Sequence, residues 1–261
     1  MFSTPCSLDR LYIVKQTPHL IQLSTDDPLP DPGSAWGQDT VAPGLLAIGG
    51  GLAVDRLIQA YSQGCFPWYS EGQPIMWWCT DPRMVLQVKH FRLHRSLRKT
   101  LTHLLKSKRL EIKIDQSFVR VIQECARSNR HGQSGTWIVK EMIEAYIKLH
   151  DQGYAHSVEA WIDGSLAGGL YCVSIGHAVF GESMFTAQTD ASKMALAALV
   201  ALCSNQRADW IDCQQNTQHL SSLGATEIPK QRFLADLSLA SQMDNMAWEF
   251  DPIYWDHILL K

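Results

Sequence analysis

Apolar and polar residues recur with two different periods along the chain, and the change of period divides it into predicted elements. Apolar residues at helical spacing predict helices at residues 52–62, 93–106, 117–127, 139–152 and 231–239. Alternating residues on either side of Asp163-Gly164 predict a β-hairpin with strands 156–161 and 165–174, followed by a third strand at 177–185. Helices followed by an antiparallel run indicate a mixed sheet with helices on both of its sides.

One helix and one strand of the C-terminal half complete this pattern. Residues 191–203 are apolar on every side, which predicts a helix buried in the core, and Asp190 is placed to cap its N-terminus. Residues 210–214 predict a strand, and the polar segment 215–224 predicts a loop. A buried helix that joins two strands extends the mixed sheet.

The N-terminal part is rich in Pro, Asp and Gln, and its predicted elements are shorter. A turn is predicted at residues 64–68, and residues 74–88 predict two short strands with a junction near Pro82. We place a domain boundary at this junction. The predicted architecture is α+β, with a small N-terminal domain, residues 1–81, and a larger C-terminal domain, residues 82–261, that contains the mixed sheet.

Composition and charge restrict the class of protein. The chain has 261 residues, of which 46% are hydrophobic and 19% charged, and a formal net charge of -3, which is typical of a globular protein. The longest uncharged apolar stretch, residues 194–203, is about half as long as the roughly 20 residues of a membrane-spanning helix. Asp9 and Arg10 precede any apolar run, so we expect no secretory signal, no membrane contact and a cytoplasmic location.

The cysteines and histidines do not form a metal-binding pattern. The seven cysteines are odd in number and include no CxxC pair, and only His90 and His94 of the ten histidines stand at i,i+4 spacing. No group of carboxylates or cysteines completes a ligand set around those two histidines. We therefore expect neither a disulfide framework nor a metal site.

The charge is unevenly distributed. Between Lys89 and Arg109 there are eight basic residues and no acidic one, which leaves 15 basic against 26 acidic residues elsewhere. In a helix over residues 93–106, four cations share one face, namely Arg95, Arg98, Lys99 and Lys106. Leucines cover the other face, namely Leu97, Leu101, Leu104 and Leu105. Such a face is either simply solvated or a track for a phosphate backbone.

Two polar residues in the last predicted strand are candidates for chemistry. Alternate side chains of a strand share a face, so Asp212 and Gln214 point the same way and Cys213 points the opposite way, which favours a core position for the cysteine. Asp212 stands in a largely apolar strand, where an unpaired carboxylate is costly to bury. It is either satisfied by a loop backbone or acts in a cleft as a base or an orienting group.

A second carboxylate lies among large apolar side chains. By alternation, Phe180, Glu182 and Met184 share one face of the predicted strand 177–185, which suits ligand contact, although a solvent-facing glutamate at a strand end fits equally well. Trp68 and Trp137 lie in segments that contain Gly or Pro. These tryptophans either stack on bases or fill the domain junction.

Together these segments resemble the bacterial leucyl/phenylalanyl-tRNA-protein transferase family. The matching blocks keep the family's order and spacing between about residues 40 and 235. They are Gly44-Leu45-Leu46-Ala47-Ile48-Gly49-Gly50, Ala60-Tyr61 through Gly64-Cys65-Phe66-Pro67-Trp68, Trp77-Trp78 to Asp81-Pro82-Arg83, Gly135-Thr136-Trp137-Ile138, Glu144-Ala145-Tyr146, Ala155-His156-Ser157-Val158-Glu159, Gly181-Glu182-Ser183-Met184-Phe185, Asp190-Ala191-Ser192-Lys193, Asp212-Cys213-Gln214 and residues 219–224.

The resemblance implies a fold and an activity. The C-terminal domain would be GNAT-like, that is, similar to acetyltransferases. The activity would be transfer of Leu or Phe, and less well Met, from aminoacyl-tRNA to proteins that begin with Arg or Lys, which marks them for N-degron-dependent degradation. Because the ester of aminoacyl-tRNA is already activated, no cofactor is expected. We expect a cytoplasmic monomer.

The resemblance also implies roles for individual residues. Catalysis falls to Asp212, Gln214 and Glu182: Asp212 polarises or orients Gln214, whose carbonyl accepts from the attacking amine, and Glu182 holds the cationic acceptor. The pocket for the transferred side chain is lined by Leu170, Met184 and Leu196. Aromatic and hydroxyl groups near the terminal adenosine are Trp68, Trp137, Tyr61 and Tyr146. The acceptor-stem phosphates are held by Arg95, Arg98, Lys99 and Lys106.

The chain departs from the family pattern at four positions and leaves two other functions open. Gly51 replaces an Asp, Thr186 a Ser, and Ala187 and Lys230 each replace an Arg.

An acyl-coenzyme A-dependent acyltransferase is one alternative, although residues 188–193 lack the glycines that a phosphate-binding turn normally needs. A catalytically inactive RNA-binding protein is the other.

Overall fold

The computed structural model describes residues 18–128 and 138–260. Trp137 and residues 1–10, which underlie the prediction of no secretory signal, lie outside the described residues. The strands are β1 Gln22–Leu23, β2 Leu45–Gly49, β3 Phe66–Pro67, β4 Met76–Trp78, β5 Arg83–Gln87, β6 Leu110–Ile114, β7 Ala155–Ile162, β8 Ser165–Ile175, β9 Ala178–Thr186, β10 Trp210–Gln214 and β11 Thr226–Ile228. The helices are α1 Val54–Ser62, α2 Arg95–Lys106, α3 Phe118–Arg127, α4 Lys140–Asp151, α5 Ala191–Gln206, α6 Gln218–Ser222, α7 Lys230–Ala240 and α8 Asp256–Leu259.

Two mixed sheets confirm the predicted mixture of strands and helices. The smaller sheet has the order β1-β2-β4-β3 and the larger one the order β11-β5-β10-β9-β8-β7-β6. All neighbours in the larger sheet are antiparallel except β9 and β10, which pair in parallel only at Val179–Ile211 and Phe180–Asp212. Beyond that pair β10 ends at Gln214 while β9 continues to Thr186, so the two strands separate in the middle of the sheet.

Each face of the larger sheet carries its own apolar cluster. Residues of α1, α3, α4 and α7 form the first cluster together with the smaller sheet, whose Leu46 and Trp77 are fully buried in it. Residues of α2, α5 and α8 form the second cluster on the opposite face. Helix α5 lies in the middle of the second cluster and is buried on every side, which explains its uniformly apolar composition.

The helices and the hairpin agree with the sequence pattern to within three residues at each end, but three local predictions are wrong. The predicted loop after β10 contains the short helix α6, which begins where Thr217 accepts a hydrogen bond from the amide of Leu220. The predicted turn at residues 64–68 contains β3, which exists because β4 pairs with it. Asp190 does not cap α5, since its carboxylate binds Lys193 Nζ at 2.7 Å instead of a helix amide.

No helix within the described ranges is long and apolar enough to span a membrane.

Candidate active site

A buried ion pair joins the start of β5 to β10. The Arg83 guanidinium donates from Nε to Asp212 Oδ1 at 2.8 Å and from Nη2 to Oδ2 at 2.7 Å, and both side chains are fully buried. A buried charge is tolerated only when it is paired and hydrogen-bonded, and a two-point arginine contact satisfies both conditions. Asp212 is therefore held by a side chain of the neighbouring strand, a partner that the sequence pattern did not identify.

Aromatic rings enclose the arginine of this pair. The guanidinium carbon of Arg83 lies 4.8 Å from the ring centre of Phe66 and 4.5 Å from that of Phe233. Burial opposes the charge on Arg83, but the adjacent Asp212 carboxylate outweighs burial and raises the pKa of the guanidinium. Arg83 therefore remains protonated. A carboxylate buried in an apolar strand needs a cation as its partner. The presence of Asp212 in such a strand is therefore the sequence signal from which a partner such as Arg83 could have been predicted.

Asp212 also fixes the backbone of Gln214. Its Oδ1 accepts from the amide of Gln214 at 2.9 Å, and Thr80 donates its hydroxyl to the carbonyl of Gln214 at 3.2 Å. Gln214 has a φ of 59°, a left-handed conformation that is unfavourable for a non-glycine residue and needs such support. Its side-chain amide then donates to Glu182 Oε1 at 2.8 Å. Cys213 packs against the second cluster, on the opposite side, as alternation predicts.

Glu182 lies in an irregularity of β9. Cys172 pairs with Gly181 and Tyr171 with Ser183, so Glu182 is an extra residue without a partner in β8. The extra residue reverses the alternation beyond it. Phe180 therefore packs in the first cluster and Met184 against the second, and the prediction that both share one face with Glu182 is wrong.

Two tyrosine hydroxyls meet at the Glu182 carboxylate. Tyr61 from α1 donates to Oε1 at 2.8 Å, and Tyr146 from α4 lies 3.5 Å from Oε2. The two hydroxyls also hydrogen-bond each other, and both rings are fully buried. Burial, reinforced by the charge of Glu182, raises the pKa of each tyrosine well above its usual value, so both remain protonated donors.

Glu182 itself titrates near neutral pH. Burial raises its pKa from 4.5 to about 7, and the hydrogen bonds from Tyr61 and Gln214 counteract only part of this effect. A carboxyl group with this pKa exchanges its proton easily with an amine under physiological conditions. The structure thus brings all three predicted catalytic residues into one buried polar network: Arg83, Asp212, Gln214 and Glu182 with the two tyrosines.

The predicted side-chain pocket lies on the other face of the sheet. Leu170 stands directly opposite Met184 in the pairing of β8 with β9, and α5, which carries Leu196, packs on β8. All three belong to or border the second cluster, whereas Tyr61 and Tyr146 belong to the first.

Of the residues predicted near an adenosine, the structure describes three. Trp68 is half-buried against Trp78, with ring centres 5.6 Å apart, and its carbonyl accepts from the Trp78 indole at 2.7 Å. Tyr61 and Tyr146 are engaged with Glu182, as described above. Trp137 lies outside the described residues.

The basic helix forms a shallow open groove. The groove has a volume of about 500 Å³ and is lined by Arg95, Arg98, Lys99, Thr102, His103 and Lys106. Leu97, Leu101 and Leu104 are buried on the other side of α2, as the spacing predicts. Arg98 also donates to the carbonyl of Leu259 at 2.7 Å, which anchors it against α8. The four predicted phosphate-binding residues therefore lie side by side.

Two further features bear on cofactors. Within the described residues, no group of three His, Cys, Asp or Glu side chains could hold a metal ion. Before α5, the amides of Ala187 and Gln188 both donate to the carbonyl of Ala167, at 2.8 and 2.9 Å. An acyl-coenzyme A site of the acetyltransferase kind needs free amides in this turn, so this arrangement disfavours that alternative.

Comparison with known proteins gives consistent matches. A family model described as leucyl/phenylalanyl-tRNA protein transferase matches residues 85–238, and the model of that family's N-terminal domain matches residues 50–81. A Polaromonas protein named leucyl/phenylalanyl-tRNA–protein transferase is 57% identical over 225 residues, which cover 86% of this chain and 88% of that protein. A protein of the same name from Albidiferax ferrireducens is 53% identical over 244 residues, covering 94% and 96% of the two chains.

The buried ion pair yields a prediction about stability. Arg83→Met should lower the free energy of unfolding by about 3–5 kcal/mol, because it leaves the Asp212 charge buried and unpaired. Adding Asp212→Asn, which removes that charge and keeps Oδ1 for the Gln214 amide, should restore most of the loss. Urea unfolding of the single and double variants measures the coupling energy between Arg83 and Asp212. If the double variant loses as much free energy of unfolding as the two single variants together, the two side chains are not coupled and the prediction is wrong.

Proposed function

The chain belongs to the leucyl/phenylalanyl-tRNA protein transferase family, and we propose that it transfers Leu or Phe, and less well Met, from aminoacyl-tRNA to proteins whose N-terminal residue is Arg or Lys. As a member of this family it is an aminoacyltransferase. The observation that most supports the proposal is the buried network that joins Asp212 through Gln214 to Glu182. The product would be marked for N-degron-dependent degradation.

The setting of this activity is part of the same proposal. We propose a small N-terminal domain, residues 1–81, and a GNAT-like catalytic domain, residues 82–261, in a cytoplasmic monomer. The separation of β9 from β10 in the larger sheet supports the GNAT-like assignment, because it opens the sheet beside Glu182 and Gln214. The reaction itself needs no cofactor, since the ester is already activated.

The reaction forms an amide bond from an ester. The α-amine of the acceptor has a pKa of about 8 and must lose a proton before it attacks. Its nitrogen then bonds to the ester carbonyl carbon, and the terminal ribose hydroxyl of the tRNA leaves with a proton. An ionised Glu182 only accepts hydrogen bonds, so the side-chain NH₂ of Gln214 must point toward it. Gln214 Oε1 is then left to accept a hydrogen bond from the attacking amine.

Asp212 acts in this proposal as an organiser rather than as a base. Both of its oxygens are occupied, by Arg83 and by the amide of Gln214. It therefore holds the left-handed turn that aims the Gln214 side chain. Proton transfer falls to Glu182, which also holds the cationic acceptor and is itself supported by Tyr61 and Tyr146.

The remaining predicted residues bind the aminoacyl-tRNA. Leu170, Met184 and Leu196 would receive the transferred side chain, and the flexibility of Met suits a pocket that takes both Leu and Phe. Trp68 would contact the terminal adenosine, as would Trp137. Tyr61 and Tyr146 would lie near the terminal adenosine while their hydroxyls support Glu182.

The proposed activity predicts a selective transfer reaction. Radiolabelled leucine should pass from leucyl-tRNA to peptides that begin with Arg or Lys, without ATP or added metal. A matched peptide that begins with Ala is the control and should remain unlabelled. Labelling of all three peptides would contradict the acceptor rule. tRNA binding without any labelling would favour the catalytically inactive RNA-binding alternative, and labelling from acyl-coenzyme A would favour the acyltransferase.

Glu182→Gln should change both the rate and its dependence on pH. Below pH about 7 the wild-type kcat/KM should fall with two ionisations, those of Glu182 and of the substrate amine, whereas the variant should retain only that of the amine. Turnover should fall by about 10²–10⁴-fold. A variant with the wild-type pH profile would exclude Glu182 from proton transfer.

A stability measurement checks the same pKa independently of catalysis. Because the pKa of Glu182 is raised in the folded state, the folded protein binds more protons than the unfolded chain between pH 4.5 and about 7. Its contribution to stability is therefore present at low pH and is lost as the pH rises through 7. Glu182→Gln should remove this loss, which thermal unfolding across the pH range measures.

The basic groove predicts a salt-dependent RNA contact. Arg95→Ala combined with Lys99→Ala should weaken tRNA binding and lower the slope of log affinity against log salt by about 1–2 units, because each phosphate contact contributes about 0.7–0.9. Lys140→Ala combined with Lys148→Ala removes two exposed lysines of α4 and is the matched control. Equal slopes for the two double variants would remove α2 from the RNA site.

A further inference from the structure

Cys65 and Cys79 face each other across the hairpin of β3 and β4. Extending the pairing of Phe66 with Trp78 and of Pro67 with Trp77 by one residue places Cys65 opposite Cys79. The amide of Cys65 donates to the carbonyl of Ala60, and that of Cys79 to Gly44, each at 2.8 Å. The two cysteines are therefore cross-strand neighbours that share no backbone hydrogen bond.

This kind of position suits a disulfide. In the same hairpin the amide of Trp68 donates to Met76 at 2.9 Å, so the hydrogen-bonded pairs alternate with the pairs that lack such bonds, and Cys65–Cys79 is one of the latter. Such pairs have Cα atoms about 4.5 Å apart and the closer side chains. A disulfide spans Cα separations of about 4.4–6.8 Å. The backbone can therefore accept the bond with little movement.

The two thiols already interact and differ in chemistry. Both side chains are fully buried, and the Cys65 thiol donates to the carbonyl oxygen of Gln63 at 3.7 Å. The neighbouring Cys65 thiol lowers the pKa of Cys79, Cys79 in turn raises that of Cys65, and the cations Arg83 and Lys230 lower the pKa of Cys79 further against the effect of burial. Cys79 is thus the thiol that becomes a nucleophilic thiolate, with Cys65 positioned to resolve it.

We propose that Cys65 and Cys79 form an oxidisable dithiol, which hydrogen peroxide converts into a cross-strand disulfide and which thereby reversibly lowers transfer activity. The Cys79 thiolate attacks one peroxide oxygen and becomes a sulfenic acid, while the other oxygen leaves as water after it takes up a proton. Cys65 then attacks the sulfenic sulfur, and a second water leaves. Two thiols are oxidised to one disulfide, and one peroxide is reduced to two waters.

The disulfide would act on the site through Arg83. Cys65 directly precedes Phe66, whose ring lies 4.8 Å from the Arg83 guanidinium, and Arg83 follows Cys79 by four residues. Oxidation removes the thiolate charge that attracts the Arg83 guanidinium. Displacement of Arg83 would move Asp212 and with it the turn at Gln214. This effect on activity rests on the proposed aminoacyl transfer.

Other described cysteines provide the control. Burial raises the pKa of Cys172, Cys203 and Cys213, so these thiols are weaker nucleophiles. Cys203 lies on α5 in the second cluster, away from the hairpin. Cys203→Ala therefore removes a buried thiol without touching the proposed dithiol.

The experiment uses the full chain, first reduced and then treated with hydrogen peroxide. Free thiols are alkylated under denaturing conditions, and intact mass and peptide mapping then count and locate the cysteines that escaped alkylation. We expect two of the seven cysteines to escape, joined as Cys65–Cys79. Leucine transfer should fall by at least about tenfold and recover with dithiothreitol, since small displacements at a catalytic site have effects of this size.

Cysteine variants distinguish formation of the Cys65–Cys79 disulfide from its effect on leucine transfer. Cys79→Ala should retain its own untreated activity after peroxide, Cys65→Ala should stop at the Cys79 sulfenic acid without forming a disulfide, and Cys203→Ala should be inactivated like the wild type. Complete alkylation of the wild type, or a disulfide between other cysteines, would overturn the proposed bond whether or not the protein transfers leucine. A Cys65–Cys79 disulfide with unchanged transfer would overturn its effect on the site.

Discussion

The bidentate ion pair of Arg83 and Asp212 is the interaction on which the candidate site depends. Two charges that are fully buried cost several kcal/mol each unless they face one another with good geometry. The pair meets this condition and connects the first residue of β5 to β10. The same carboxylate holds the amide of Gln214, so an element of the fold also sets the position of a proposed catalytic side chain.

Two backbone irregularities place the functional side chains. The extra residue in β9 is Glu182, whose carboxylate meets Tyr61 and Tyr146, and the left-handed conformation of Gln214 turns its side-chain amide toward the same carboxylate. Strict alternation fixes the face of every side chain in a regular strand, so the extra residue is what places Met184 on the opposite face from Phe180. Irregularities of this kind concentrate at functional sites, where surrounding contacts offset their cost. At Gln214 the offsetting contacts come from Asp212 and Thr80.

The sequence predicts what depends on local periodicity and misses what depends on partners. The helices, the hairpin around Asp163-Gly164 and the opposite orientations of Asp212 and Cys213 follow from spacing alone, and the structure confirms them. The predicted face of Met184 is wrong. One inserted residue moves every later side chain of the strand to the opposite face, and the amino-acid composition does not reveal the insertion. Arg83 was missed as a site residue, because nothing local to Pro82 reveals a carboxylate far away in the chain.

The buried network and helix α2 carry opposite charges, and each of them suits one of the two substrates of the proposed reaction. The charges of Arg83 and Asp212 cancel, so an ionised Glu182 leaves the network with a net negative charge that favours a cationic N-terminal Arg or Lys. The groove on α2 is positive and favours RNA phosphates, although the whole chain has a net charge of -3. Because like charges would repel the wrong substrate from each surface, this division promotes correct loading before any specific contact forms. A pKa of about 7 for Glu182 makes that preference adjustable within the physiological range.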